Sequence, residues 1–404
     1  MQSDFILPAD TVKPTFDGIV RADGRVATRN YLGVFVVGNC GATVARKIAD
    51  WFTEARLADF PNVDGVVPFV HEIGCGMEMT GEPMDLLRRT IAGTLRNPNI
   101  AGGLVIALGC ERNNIYGFME QEKLVTGPLL KTLVMQELGG TANTIEAGIA
   151  EIEQMLPIAD DCRREPVSAA YLTVGLQTAG REGTAATHAD RALGAAVDLL
   201  VAAGGTALLS GTADVVQSGA DLAARAASAE VAAALQARVD WWRSYHAGRD
   251  TRLKPASTRS AGIAAAGLQR AGHTALEAVT AYAQPVTSHG LVFMDAPAYV
   301  AVSATGQVAA GANLICVTTA TGTAFGALPT PTLKLADSSA LYAKFEDDLD
   351  IDCGPVADGA ISVEAMGQRI FAEILAHASG KQTRSENLGV GENEFVPWPI
   401  GVLA

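Results

Sequence analysis

Basic residues are scarce: 30 Lys and Arg stand against 44 Asp and Glu, for a formal charge of −14. A chain this acidic, with a pI near 4.9, lacks the electrostatic footprint of a nucleic-acid or anionic-membrane binder. No run approaches the roughly 20 uncharged apolar residues of a membrane span, because glycine or a polar residue interrupts each one. Residues 1–16 (MQSDFILPADTVKPTF) lack the basic start and long apolar core of a secretory signal, so a cytoplasmic protein is expected. Charged residues make up only 18% of the chain and apolar residues 49%, which excludes a disordered chain and allows a large core. The six cysteines include no CxxC pair and form no dense framework, a pattern of reduced thiols or metal ligands rather than disulfides. Solenoid repeats, low-complexity tracts and heptad seams are absent as well.

One device recurs three times. YLGVFVVGNCG (31–41), VDGVVPFVHEIGCGM (63–77) and GGLVIALGCERNN (102–114) each run from an apolar stretch into a cysteine beside glycine. Apolar runs without polar alternation read as strands buried on both faces, so each cysteine marks a hand-over from a parallel strand to a loop. Two of the loops lead into helix-forming stretches, ATVARKIADWF and EPMDLLRRTIAGTL. Ligand crevices in open α/β sheets lie beyond the carboxyl ends of the strands. If the three strands are neighbours, Cys40, Cys75 and Cys110 converge on one rim.

A length of 404 residues exceeds what one core serves, which predicts two α/β domains, each a mainly parallel sheet with helices. The polar stretch IADDCRREPVS (158–168) reads as the linker, giving domains at 1–157 and 168–404. Ahead of it a helix is expected over 129–138, then a further helix capped by Thr144. Beyond it strands are expected at SAAYLTVGL, TALLSG, HGLVFMDAP, ANLICVTTAT and TLKLAD, separated by helices. Trp241, Trp242 and Tyr245 read as packing residues on a helix, and Glu394, Phe395, Pro397 and Trp398 as a tail laid against the body. The loop TTATGTAFGALPTP (318–331) offers small residues whose backbone N–H groups suit an anion, without the GK[ST] ending of a P-loop.

Cysteines ahead of a helix N-terminus are expected to have lowered pKa values, and the thiolate is the form that binds metal. Three on one rim suit an iron–sulfur cluster with an open iron, or a single Fe(II) or Zn(II) helped by His71 or Glu111. An open metal is a Lewis acid that turns hydroxide into a better leaving group, which is dehydratase chemistry. The other reading of the same cysteines is small buried hydrophobes. His71 and Glu72, in the loop after a buried strand, are placed for acid–base work or for a structural role. Arg21, Arg25 and Arg29, interleaved through RADGRVATRN, offer forked donors for a substrate carboxylate, or belong to a solvated turn. Cys162, Cys316 and Cys353 receive no role.

At these residues the chain resembles the altronate and galactarate dehydratase family of sugar-acid hydro-lyases. RADGRVATRN, GNCG, HEIGCGM, LGCERNN, VGLQ, GQVAAGANLICVTT, DDLDIDCG, ASGKQTRSE and NEFVPW carry the resemblance over nearly the whole chain. It implies loss of water from a polyhydroxy acid to give a 2-keto-3-deoxy acid, with dependence on iron or another divalent metal. It also implies a C-terminal domain with a variant Rossmann-like sheet and a first domain that makes a homodimer. A separate small β-clip subunit is implied too, as in split systems such as sulfolactate sulfo-lyase, which expels sulfite instead of water. On this reading Cys40, Cys75 and Cys110 hold the metal and His71 or Glu111 moves a proton. Arg21, Arg25, Arg29, Asn30 and Asn114 bind the substrate.

The second half departs from the family pattern. Thr178 stands where the family has cysteine, Gly211 where it has glutamate, and Thr321 where it has arginine, while 257–263 (STRSAGI) replaces a Pro-Gly-Asn-Lys segment. Retuning for another substrate, an inert subunit paired with an active paralogue, and a carboxylate-binding module using 318–326 are the readings these departures leave open.

Overall fold

A computed structural model describes residues 13–179, 185–216, 218–247 and 268–399. The leader up to residue 12 and the departure from the family pattern at 257–263 lie outside them.

The chain enters through β1 (Thr15–Val20), which pairs antiparallel with β2 (Val26–Ala27). Next come β3 (Tyr31–Val36), β4 (Gly65–Phe69), β5 (Ile100–Ala107) and β6 (Leu130–Val134), a parallel sheet in the order β4-β3-β5-β6. Helices 42–49, 82–95 and 141–160 cover its faces, which is why its strands carry continuous apolar runs. In β3 every residue is buried: Leu32, Val34 and Val36 pack against Ile48 and Ile152, while Tyr31 and Phe35 pack against Leu87 and Ile91.

After helix 141–160 the chain returns as β7 (Arg164–Ser168), antiparallel to β1, and closes a three-stranded sheet. A second parallel sheet follows, from β8 (Thr173–Thr178), β9 (Thr206–Ser210), β10 (Leu276–Thr280), β11 (Gly290–Met294), β12 (Leu314–Thr319), β13 (Thr332–Ala336) and β14 (Ile351–Asp352). Its order is β10-β11-β9-β8-β12-β13-β14. From β11 to β14 this is the doubly wound dinucleotide-fold order, with β10 added at one edge. The two parallel α/β sheets match the expected fold class. Among the described residues no helix is long and apolar enough to cross a membrane.

Three local expectations are corrected. Residues 129–138 hold β6 and a turn, not a helix, because ladder bonds to β5 override the helix propensity of Leu and Lys. Thr144 is no cap: the helix already starts at Thr141, and the Thr144 hydroxyl donates to Gly140 O at 2.8 Å. The stretch 158–168 is not an open linker, since the helix runs to Asp160 and Arg164–Ser168 is β7.

Buried amides and one ion pair join the sheets. Asn97 donates to Val308 O and Ala312 O, both at 2.8 Å, and Asn99 accepts from the Thr28 amide at 2.8 Å while donating to Pro329 O at 3.1 Å. Asn313 donates to Val26 O and Tyr171 O and accepts from the Thr173 amide. Arg29, just ahead of β3, forms a forked pair with Glu386 at 2.5 and 2.9 Å and donates to the carbonyls of Thr28, His377 and Lys381. Its side chain is 2% exposed and that of Glu386 7%. Breaking one half of such a pair strands a buried charge, so Glu386→Gln should cost about 3–5 kcal/mol of stability, read from urea unfolding. A loss below about 1 kcal/mol would show that the pair behaves as a solvated surface contact.

Candidate active site

Because β3 lies between β4 and β5, the loops that follow these strands emerge side by side. The first turns through Asn39–Gly41 into helix 42–49 and carries Cys40. The second carries His71 and Cys75 ahead of helix 82–95, and the third carries Cys110 and Glu111 ahead of helix 115–121. All three cysteines are exposed. Cys40 and Cys75 meet at an Sγ–Sγ distance of 4.0 Å. A methyl group at Gly38 would come within 2.7 Å of Glu111 Cγ and 3.6 Å of Cys75 Sγ, so both side chains lie against this glycine. Gly74 is required for another reason: its φ is 104°, and a Cβ there would come within 2.4 Å of Val37 O, where no side chain fits.

One residue that sequence reasoning passed over holds the loops together. Asn113 is fully buried; its amide N–H donates to Gly74 O at 3.0 Å and its side chain donates to Val37 O at 2.9 Å. Arg88 of helix 82–95 donates to its Oδ1 at 3.0 Å. One residue of the third loop therefore ties down the other two, the second through its backbone N–H and the first through its side chain. The doubled asparagine of LGCERNN was the only signal of it, and the adjacent Asn114 does a different job. Asn114 is exposed and caps helix 115–121, accepting from the amides of Tyr116 at 3.0 Å and Gly117 at 3.2 Å.

Glu111 and His71 are also engaged with backbone. The Glu111 carboxylate accepts from the Leu108 amide and, at 2.8 Å, from the Gly109 amide. His71 Nε2 lies 3.0 Å from Val36 O. A carbonyl only accepts, so Nε2 carries the proton and Nδ1 presents a lone pair, which has no hydrogen-bond partner among the described residues. Burial lowers the His71 pKa to about 4 and keeps the ring neutral. The expected thiolate character does not hold for Cys75: burial, then Cys40, Glu111 and Cys110 nearby, push its thiol up. It stands well ahead of Glu82, out of reach of the helix terminus that was to lower it.

The arginines do not join the rim. Arg29 and Asn30 precede β3 whereas Cys40 follows it, which separates them by the strand length of about 20 Å. Arg21 donates to Pro98 O at 2.9 Å and to Asn30 Oδ1 at 2.7 Å, and burial lowers its pKa to about 10. Asn30 donates to the carbonyls of Asn62 at 2.6 Å and Ala159 at 2.9 Å. Arg25, exposed, pairs with Asp23 at 2.7 Å. The donors of Arg21, Arg29 and Asn30 are spent on the fold, at the end of the sheet away from the cysteines. The loop after β12 is also self-occupied. Thr319 Oγ1 accepts from the amides of Thr321 and Gly322, and Thr323 Oγ1 from that of Phe325.

Among the described residues no three His, Cys, Asp or Glu side chains stand close enough to hold a metal ion. The Cys40–Cys75 spacing of 4.0 Å nevertheless suits two sulfurs on one tetrahedral ion, which bonds of about 2.3 Å place roughly 3.8 Å apart. The donor pair fits a single ion, with Cys110 as the nearby third thiol.

Residues 18–160 match the family described as D-galactarate dehydratase/Altronate hydrolase, second domain, and residues 169–403 match D-galactarate/Altronate dehydratase, C-terminal. The chain belongs to this galactarate/altronate dehydratase family. It is 31% identical to the galactarate dehydratase (L-threo-forming) of Escherichia coli, over 96% of this chain and 77% of that protein. It is 26% identical to the altronate dehydratase of Bacillus subtilis, over 94% of this chain and 77% of that protein. The beta subunit of (2R)-sulfolactate sulfo-lyase from Chromohalobacter salexigens is 26% identical, over 95% of this chain and 96% of the relative.

The depressed His71 pKa carries a stability prediction. Between the ordinary value of 6.5 and about 4 the unfolded chain binds the proton and the folded one does not. His71 thus contributes stability that is full above pH 6.5 and lost on acidification towards pH 4, about 3 kcal/mol in all. His71→Gln should flatten that part of the curve in urea unfolding measured from pH 7 to 4; an unchanged slope would show that the ring is solvated.

Proposed function

We propose that this chain is a hydro-lyase that removes water from a small sugar acid to give a 2-keto-3-deoxy acid. The observation that supports the reading is that Cys40 and Cys75 meet beside a backbone-anchored carboxylate, Glu111, in a chain whose relatives are dehydratases. In the reaction the C2 proton is removed, the C3 hydroxyl leaves with its bonding electrons, and the enol tautomerises to the 2-keto acid. Cys40, Cys75 and Cys110 are the residues that would hold a divalent metal, iron first among the candidates. Lewis acidity toward the departing hydroxyl is the chemistry such an ion supplies when bound.

We assign proton handling to Glu111, because it lies with Cys75 against Gly38. His71 is too weakly basic to carry a proton near neutrality, and its Nδ1 lone pair instead accepts a substrate hydroxyl hydrogen bond. Sulfolactate enters the same scheme with sulfite as the leaving group, and the sulfo-lyase relative, a beta subunit, makes a second polypeptide part of this proposal.

The decisive experiment measures iron and acid-labile sulfide per chain on protein purified without oxygen, then keto-acid formation from galactarate, altronate and (2R)-sulfolactate. Cys75→Ser and Cys110→Ser should each abolish bound metal; full retention in both overturns the ligand assignment. Glu111→Gln should keep the metal and lower kcat by about 10²–10⁴-fold. Absence of product from every acid by the metal-loaded protein overturns the hydro-lyase reading.

A further inference from the structure

With Arg21 and Arg29 engaged in the fold, the second sheet offers another cation for a substrate carboxylate. Lys334, in the middle of β13, is 0% exposed, and its Nζ has no hydrogen-bond partner among the described residues. Strand alternation explains its direction. Leu333 and Leu335 face the core packed by helices 187–202 and 363–378, so Lys334 points to the opposite face, beside Val317 of β12, its register partner. Its acidic neighbour Asp350 does not satisfy the ammonium. The Asp350 carboxylate is occupied by the amides of Lys334 and Arg384, both at 2.8 Å.

A second unpartnered atom belongs to the C-terminal tail, in a carboxyl group close enough to feel the Lys334 charge. Glu394 Oε2 is buried without a hydrogen bond, and burial raises its carboxyl pKa as it lowers that of Lys334. The next residue, Phe395, packs edge-on against Phe69 at 5.4 Å and lies 6.3 Å from the His71 ring. Thr305 holds this segment in place, donating to Glu394 O at 3.0 Å and accepting from the Val396 amide at 2.9 Å. Lys334 and Glu394 feel each other's charge, and the residue after Glu394 lies beside His71, whose Nδ1 also lacks a hydrogen-bond partner among the described residues. A buried ammonium with no acceptor is costly unless an anion is to occupy the place beside it.

We propose that Lys334 and Glu394 anchor the hydroxy-acid substrate, the ammonium taking its carboxylate and the Glu394 carboxyl group the neighbouring hydroxyl. This rests on the hydro-lyase reading and supplies the anion-binding half of that site from the C-terminal domain. It also accounts for recognition of an acid by a chain of charge −14, because the one cation needed is internal.

The test compares wild type, Lys334→Met and Glu394→Gln in thermal melts and calorimetric titrations with galactarate, altronate and (2R)-sulfolactate. At least one acid should stabilise the wild type. Methionine fills the same volume without charge, so Lys334→Met should melt at the same or a higher temperature without ligand while binding that acid about ten- to a hundredfold more weakly. In turnover its KM should rise more than its kcat falls. Glu394→Gln keeps a hydrogen-bonding group and should lose less affinity. Unchanged affinity in Lys334→Met would overturn the anchor, all the more if the free protein melts lower, as expected of a structural lysine. If Lys334→Met does not fold, Lys334→Gln is judged by the same affinities. A wild type that no acid stabilises overturns the hydro-lyase reading together with the anchor, whereas loss of the effect only in the variant supports both.

Discussion

Parallel strands that end side by side leave their last carbonyls and the first amides of the following loops without ladder partners, and buried groups of this kind must be satisfied from within. Here the demand falls on a few side chains. Asn113 bridges Val37 and Gly74, Glu111 takes the Leu108 and Gly109 amides, and His71 takes the Val36 carbonyl. Asn39 adds a bond to Glu72 at 2.8 Å. With the backbone settled in this way, the cysteines are left facing outward on rigid loops, where a substrate or metal ion can reach them. The polar residues that look catalytic in the sequence are thus first of all the means by which three loops hold one shape.

The same rule shapes the seam between the two parallel sheets. Asn97, Asn99 and Asn313 exchange hydrogen bonds across it, and Arg29 spends its donors on Glu386 and three carbonyls. Such contacts favour a fixed orientation, because each lost bond would leave a buried polar group bare. The tail contributes from the other side: Trp398 stacks on Trp242 at 5.6 Å while Phe395 covers Phe69. In this way the C-terminal segment lies both against the aromatic cluster of the second sheet and over the rim of the first.

Legibility differed by kind of residue. β3, β5, β9, β11 and β12 were readable because unbroken apolar runs have few alternatives to a strand covered on both faces. β6 was not, since its five half-buried residues include Lys131 and Thr132 and its strand character comes from pairing with β5. β7 was hidden for a similar reason: REPVS has no strand signal of its own and is extended because β1, more than a hundred residues earlier, lies alongside it. The cysteines were visible as a repeated pattern, whereas Asn113, which holds their loops, was only one of two adjacent asparagines.

By itself the sequence determined the strands with unbroken apolar runs, the acidic character and the placing of three cysteines at strand ends, because apolar periodicity and glycine punctuation act over a few residues. The strand order that turns three separate cysteines into one rim was decided by tertiary structure alone. So was the fate of each polar side chain. Arg29 meets Glu386 across 357 residues of chain, Asn99 meets Pro329 across 230, and Lys334 Nζ finds no hydrogen-bond partner among the described residues; such outcomes depend on which groups burial brings within about 3 Å of each other.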